Sequence, residues 1–138
     1  MVVDCSVTMP WLLKNDKTGY AVKVLRSLVS GTALIPRLWF LEVANVLLVF
    51  ERRKRITRAE SGRFIELLTQ LPLEVDDSVY HRVFDGVISL AREQALSLYD
   101  AVYLELAMRS GAPLATLDKG LIKAAKAVGV EVVKFRSS

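Results

Sequence analysis

Residues 113–135 read PLATLDKGLIKAAKAVGVEVVKF, and the reading of this stretch decides the fold. The apolar run PLATLD (113–118) predicts a short buried strand that ends in Asp118. Residues 119–128 predict a small helix stopped at Gly129, and VEVVKF (130–135) predicts a further strand. Strand, helix, strand is the order from which parallel sheets are assembled. The alternation holds upstream. MVVD (1–4), TALIP (32–36, closed by Pro36) and LEVD (73–76) predict strands. MPWLLKND predicts a short helical turn. Apolar residues at 21, 22, 24, 25, 28 and 29 predict a helix within 18–31, with Gly31 as its stop. A long helix is expected over 38–54, running into ERRKR. Thr57 and Glu60 form a capping-box pair for a helix to about Leu71. Further helices are expected from Ser78 to about Gln94 and from Ser97 to Ser110. The expectation is a single α/β domain over 1–138, a three-layer α/β/α sandwich with a mainly parallel central sheet of four or five strands.

Composition narrows the setting. The 138 residues suffice for one domain with a core. At 52% hydrophobic and 25% charged, the chain is ordinary globular material rather than disordered. The longest apolar stretch, LWFLEVANVLLVF (38–50), carries Glu42 and Asn45 and is shorter than the ~20 residues a membrane span needs. MVVDCS has no basic leader, and the single Cys5 suits a reducing compartment, so a cytoplasmic location without membrane attachment is expected. The lone His81 lies far in sequence from Asp4, Glu42, Asp100 and Asp118, and a thiolate at Cys5, buried beside a carboxylate, is disfavoured, which leaves Ser/His/Asp and Cys/His catalysis without support.

Four carboxylates stand in apolar settings. Asp4 and Asp118 each end a strand, where open α/β sheets place their sites. Glu42 lies early in a helix among Trp39, Phe40, Leu41, Val43 and Ala44, with Asn45 beside it at i+3. Asp100 lies in SLYDAVYLELA (97–107), where S97-x-x-D100 has the form of a capping box. Each acid alone reads equally as a helix cap or first-turn residue. Together they would repel if buried near one another. No Lys or Arg lies within three residues of Asp4, Glu42 or Asp100, and only Lys119 adjoins Asp118. Oxygen ligands without His or Cys partners point to a hard cation, Mg²⁺ or Mn²⁺.

DCSVT (4–8), LEVANVL around Glu42 and Asn45, SLYDAVYLELA, and LATLDKGLIKAAKAVGVEVV (114–133) together resemble the PIN-domain ribonucleases of the VapC toxin type, in order and spacing, along essentially the whole chain. The resemblance implies a metal site of Asp4, Glu42, Asp100 and Asp118, oriented by Ser6, Asn45 and Thr116. It implies hydrolysis of RNA phosphodiester bonds by a water activated at Mg²⁺ or Mn²⁺, leaving a 5′-phosphate. It also implies a cognate antitoxin and a homodimer. Cys5 stands where Ala or Thr is usual in such proteins, a change of little chemical weight.

With the four acids set aside, 19 Lys and Arg face the 15 Asp and Glu less those four, a net +8 that suits a polyanion. Arg37, Lys119 and Lys123 lie nearest the acids in sequence and are the expected phosphate contacts. Arg52 and Arg53, in RRKRITR (52–58), are further candidates. A dehalogenase-like phosphatase would need a second Asp where Ser6 stands, and a dinucleotide fold would need glycines that DCSVTMPW lacks. A non-catalytic PIN-like module that binds RNA or protein is the alternative.

Overall fold

Four strands build one parallel sheet in the order β3-β2-β1-β4: β1 (Val2–Val3), β2 (Ala33–Pro36), β3 (Leu73–Asp76) and β4 (Leu114–Ala115). The structure is a computed structural model in which residues 1–135 are described. Short apolar strands of this kind tolerate burial on both faces, and β1 uses that property. Val2 packs with Ile35, Leu104, Leu114 and Leu121 on one side of the sheet. Val3 packs with Val7, Ala21, Val24 and Ala33 on the other.

Helices cover both faces. α1 (Cys5–Leu13) and α2 (Tyr20–Ser27) lie toward the Val3 side. α3 (Leu38–Arg52), α4 (Arg58–Thr69), α6 (Leu98–Ser110) and α7 (Lys119–Ala127) supply Trp39, Phe64, Leu106 and Ala124 to the Val2 side. α5 (Ile88–Gln94) contributes Leu90. The three-layer sandwich is therefore present. α6 is its central helix, and its residues from Ala101 to Ala107 are all buried. Met108, which continues that run in sequence, is 44% exposed.

Local sequence signals explain most boundaries. Thr57 and Glu60 complete the capping box of α4, with both reciprocal bonds formed. Ser97 accepts from the Asp100 backbone N–H to start α6, and Gly111, at φ +62°, ends it in the left-handed conformation. α1 begins directly after β1 and carries Pro10 inside it, so it is longer than the expected turn.

Two segments depart from expectation. Residues 78–94 are not one α-helix. A 3₁₀ turn over Val79–Arg82 passes into a π turn over Val83–Val87 and only then into α5. Ser78 stands at the N-cap position of the first turn, and its side chain caps nothing. Its hydroxyl donates to Asp76 Oδ1 at 2.9 Å and accepts from Arg109 Nη1 at 2.8 Å. The wide turns still bring Val79 and Val87 inward against Ala101 and Val102. The last expected strand, 130–135, makes a single parallel bridge, Leu114 with Val132. Beyond it the Val133 carbonyl accepts from the Tyr20 hydroxyl at 2.7 Å, and Phe135 packs edge-on against the Tyr20 ring, so the chain leaves the sheet.

One ionic network ties the edge strand to the central helix. The Arg109 guanidinium donates to both carboxylate oxygens of Glu105 (2.8 and 3.1 Å) and to both of Asp76 (3.1 and 3.0 Å). Both acids are largely buried there. Removing the arginine leaves two carboxylates facing each other. Arg109→Gln is expected to cost about 2–3 kcal/mol, read as a lower urea midpoint at an unchanged slope.

Candidate functional site

The four acids come from four different elements at the carboxyl edge of the sheet. Asp4 follows β1, Glu42 lies in the second turn of α3, Asp100 in the first turn of α6, and Asp118 between β4 and α7. Asp100 is the hub. Burial pushes up the pKa of Asp4, Glu42 and Asp100; the charge of Asp100 adds to the rise at Asp4 and Glu42, and the charge of Asp118 adds to that at Asp100. The structure therefore brings together residues that the sequence separates by more than a hundred positions.

Asp4 is the most constrained of them, at 4% exposure. It occupies the N-cap position of α1, yet its side chain caps nothing. Its two oxygens instead accept from neutral hydroxyls, Oδ1 from Ser6 at 2.6 Å and Oδ2 from Thr116 at 2.7 Å. Burial pushes its carboxyl up to about 6, against the pull of those two hydrogen bonds. The Thr8 hydroxyl donates to the Asp4 main-chain oxygen at 3.1 Å, and Trp39 Nε1 donates to Thr8 Oγ1 at 3.0 Å. α3 is thereby pinned to the end of β1. Burial, reinforced by Glu42 and Asp4, also pushes the Cys5 thiol up to about 12, which removes it as a nucleophile.

The other acids answer the capping question differently. Asp118 is a true cap, since its Oδ1 accepts from Leu121 N at 2.8 Å. A β-carbon on Gly120 would come within 3.3 Å of that oxygen. Asp118 Oδ2 stays free of this bond. In α6 the cap is the Ser97 hydroxyl, and the capping box that Thr57 and Glu60 complete in α4 is not completed by Asp100. Burial raises the pKa of Asp100, and so does Asp118, while the nearby Ser97 hydroxyl opposes them.

Glu42 is held by a residue that sequence reasoning missed. The Tyr103 hydroxyl donates to Glu42 Oε1 at 2.5 Å. Tyr103 is 2% exposed, one turn after Asp100 on α6. A phenol in a helix with no polar face needs a buried acceptor, and that was the available signal. Asn45, expected to partner Glu42, instead stands exposed on a groove that Ser6 and Glu42 also line.

The expected cation contacts differ in setting. Lys119 opens α7 beside Asp118, and Lys123 follows one turn on; both are exposed. Arg37 is paired with Asp77, both side chains well exposed. Arg52 and Arg53 lie at the far end of α3. His81 is exposed in the 3₁₀ turn.

Carboxylate oxygens with spare lone pairs, close enough to repel and without an ion-pair partner among the described residues, have the chemistry of a hard-cation site. Their spacing is not a finished cage: among the described residues no three His, Cys, Asp or Glu side chains converge as a metal-holding group. Asp4, Glu42, Asp100 and the free oxygen of Asp118 are the groups that could close on an ion.

Two outcomes follow from these placements. Asp4 is protonated more readily in the folded chain, at about 6, than at its ordinary 3.8. Without divalent ions, it adds stability below its ordinary pKa that is lost as pH rises through the folded value. Up to about 3 kcal/mol is involved. Asp4→Asn should flatten this pH 4–6 slope in urea titrations with EDTA. Tyr103→Phe removes only the hydroxyl that orients Glu42. It should weaken Mn²⁺ binding about tenfold, measured by paramagnetic resonance titration, with the melting temperature nearly unchanged.

Known proteins resemble this chain in sequence and in fold. "Ribonuclease VapC3" from Pyrobaculum aerophilum (strain IM2) is 32% identical over 80 residues, which cover 58% of this chain and 61% of that protein. Among solved structures, PAE2754 from Pyrobaculum aerophilum superposes with a TM-score of 0.68 at 25% identity, covering 89% of this chain and 82% of that one. FitAcB from Neisseria gonorrhoeae shares the fold at 17% identity, with a TM-score of 0.64 and 97% coverage of both chains. The family model described as PIN domain matches residues 1–127. On that match, and with its acids gathered at the carboxyl edge of a parallel sheet, the chain belongs to the PIN-domain family.

Proposed function

We propose that this protein is a divalent-metal-dependent endoribonuclease, the toxin of a toxin–antitoxin pair, acting at Asp4, Glu42, Asp100 and Asp118. The observation that carries the reading is the cluster centred on Asp100, four carboxylates with no cation partner among the described residues. Its likeness to a protein named Ribonuclease VapC3 gives the substrate class. Mg²⁺ or Mn²⁺ bound there would supply a Lewis acid for the phosphoryl oxygen and acidify a water. The protein's own part is orientation. Ser6 and Thr116 fix both oxygens of Asp4 through hydroxyls that add no charge. Tyr103 occupies Glu42 Oε1 and leaves Oε2 without that bond. Asp100 is the shared neighbour through which the other acids feel one another. Lys119 and Lys123 stand beside Asp118 as contacts for the substrate phosphates. A cognate antitoxin that blocks the site, and a homodimer, belong to the same proposal. So does location in the cytoplasm; no helix among the described residues is long and apolar enough to cross a membrane.

Asp100→Asn is nearly isosteric and leaves the Ser97 cap in place. It is expected to abolish RNA cleavage in Mg²⁺ or Mn²⁺ and to weaken Mn²⁺ binding, with circular dichroism and melting temperature close to wild type. Wild-type turnover by this variant would refute the role given to the acids. RNA binding with no cleavage by the wild type at any metal concentration would favour the non-catalytic module instead.

A further inference from the structure

Ser6 and Glu42 open onto a groove of about 440 Å³ between α1 and α3. The groove runs away from the acids over an apolar floor, Met9 and Leu13 on one side and Val46 on the other, and ends at Phe50. The far end is built with some care. The chain turns back after α3, with Arg55 N donating to the Phe50 carbonyl at 2.9 Å and Lys54 in the left-handed conformation. This turn sets the Arg55 guanidinium over the Phe50 ring, 5.0 Å from its centre. Arg52, Arg53 and Lys54 lie between the two residues in sequence. None of these four cations joins an ion pair among the described residues, and the adjacent Glu51 accepts from the Ser61 hydroxyl instead.

We propose that this groove is a substrate subsite for single-stranded RNA flanking the bond to be cleaved, with a base stacked at the Phe50–Arg55 pair. The inference rests on the ribonuclease reading and extends it. Glu42 and Phe50 lie eight residues apart on α3, about 12 Å along the helix, so a strand reaching Phe50 extends beyond the nucleotide at the acids. The floor is apolar, as base faces require, while the free charges gather at the exit, where phosphates would pass. An aromatic ring with a guanidinium is a sequence-tolerant stacking platform for single strands. Asn45, exposed one turn from Glu42, presents an amide donor and acceptor to a sugar or base edge along the way.

The test uses Phe50→Leu, which keeps an apolar side chain against the core, and Arg55→Gln. A fluorescent RNA of about ten nucleotides, bound in the Asp100→Asn background so that it stays intact, should lose about five- to tenfold in affinity with either change. Mn²⁺ affinity and melting temperature should not move. In the active protein KM for this RNA should rise while kcat holds. A dinucleotide too short to reach Phe50 should be cleaved as by the wild type. Unchanged affinity and KM in both variants would overturn the subsite, and if the wild type still cleaves RNA the ribonuclease reading stands without it. Loss of affinity for a protein partner, with RNA binding intact, would give the groove to that partner and overturn the proposal. If the wild type cleaves no RNA, the ribonuclease reading falls and the subsite falls with it.

Discussion

A buried carboxylate with no cation beside it among the described residues is the constraint around which this molecule is arranged. Asp4 ends the central strand β1, and both of its oxygens must be satisfied by something other than water. The partners are two hydroxyls, from Ser6 in the first turn of α1 and from Thr116 just after β4. Thr116 then accepts from the backbone N–H of Asp118 at 3.1 Å, so the bond that satisfies one acid also places another. Thr8 and Trp39 continue the chain of bonds to α3. Hydrogen bonds to a charged group are worth about 1.5–3 kcal/mol each, yet burial still outweighs them at Asp4, whose carboxyl remains pushed up to about 6. The protein thus carries a local instability where a lysine or arginine would have removed it. Retaining that cost is reasonable where a positive charge is to be admitted later.

α6 performs the corresponding task on the other side of the site. Helices buried on all faces are normally apolar throughout, and this one departs from that rule at defined places. Asp100 in its first turn faces the other acids, Tyr103 one turn later reaches Glu42, and Glu105 and Arg109 in the last turns hold the edge strand through Asp76. Tyr103 and Arg109 each have a partner on another element, Glu42 on α3 and Asp76 on β3. The helix therefore cannot slide or rotate without breaking bonds to α3 and β3 at once. The mixed exposure of Arg109 and the near-complete burial of Tyr103 show the two ends solving the same problem differently, by charge pairing at the edge and by a single hydroxyl in the core.

Much of this was legible because its signals are local. LEVD (73–76) is a strand at its expected limits, Thr57 and Glu60 cap as their spacing requires, and Gly111 stops α6. Four acids in apolar surroundings could be singled out for the same reason: each is odd in its own neighbourhood. What could not be read were partners chosen across the fold. Residues from Ser78 to Gln94 read as one helix, but the Ser78 hydroxyl serves Asp76 and Arg109, and the segment begins as 3₁₀ and π turns. Val133 looked like strand, but its carbonyl goes to Tyr20. Asn45 was adjacent to Glu42 on a helical face, whereas the hydrogen bond came from Tyr103, 61 residues away. Helical spacing says which side chains could meet, and only packing decides which of them do.

The question that capping residues raise at every strand end has no single answer here, and the differences are informative. A carboxylate that caps a helix is spent on a backbone N–H, as Asp118 Oδ1 is on Leu121. Asp4 occupies a cap position and leaves the N–H groups of α1 unused by its side chain. At α6 a serine takes the cap, which frees the acid three residues later. Had all these carboxylates been caps, their charge would have been absorbed by helix N-termini, and the repulsion centred on Asp100 would have no local use. Two of the three are kept from that role, one by neutral hydroxyls and one by Ser97. The hydroxyls around the acids thus act together: they fix or free each carboxylate without neutralising it, so the negative charge at the sheet edge stays available for a cation.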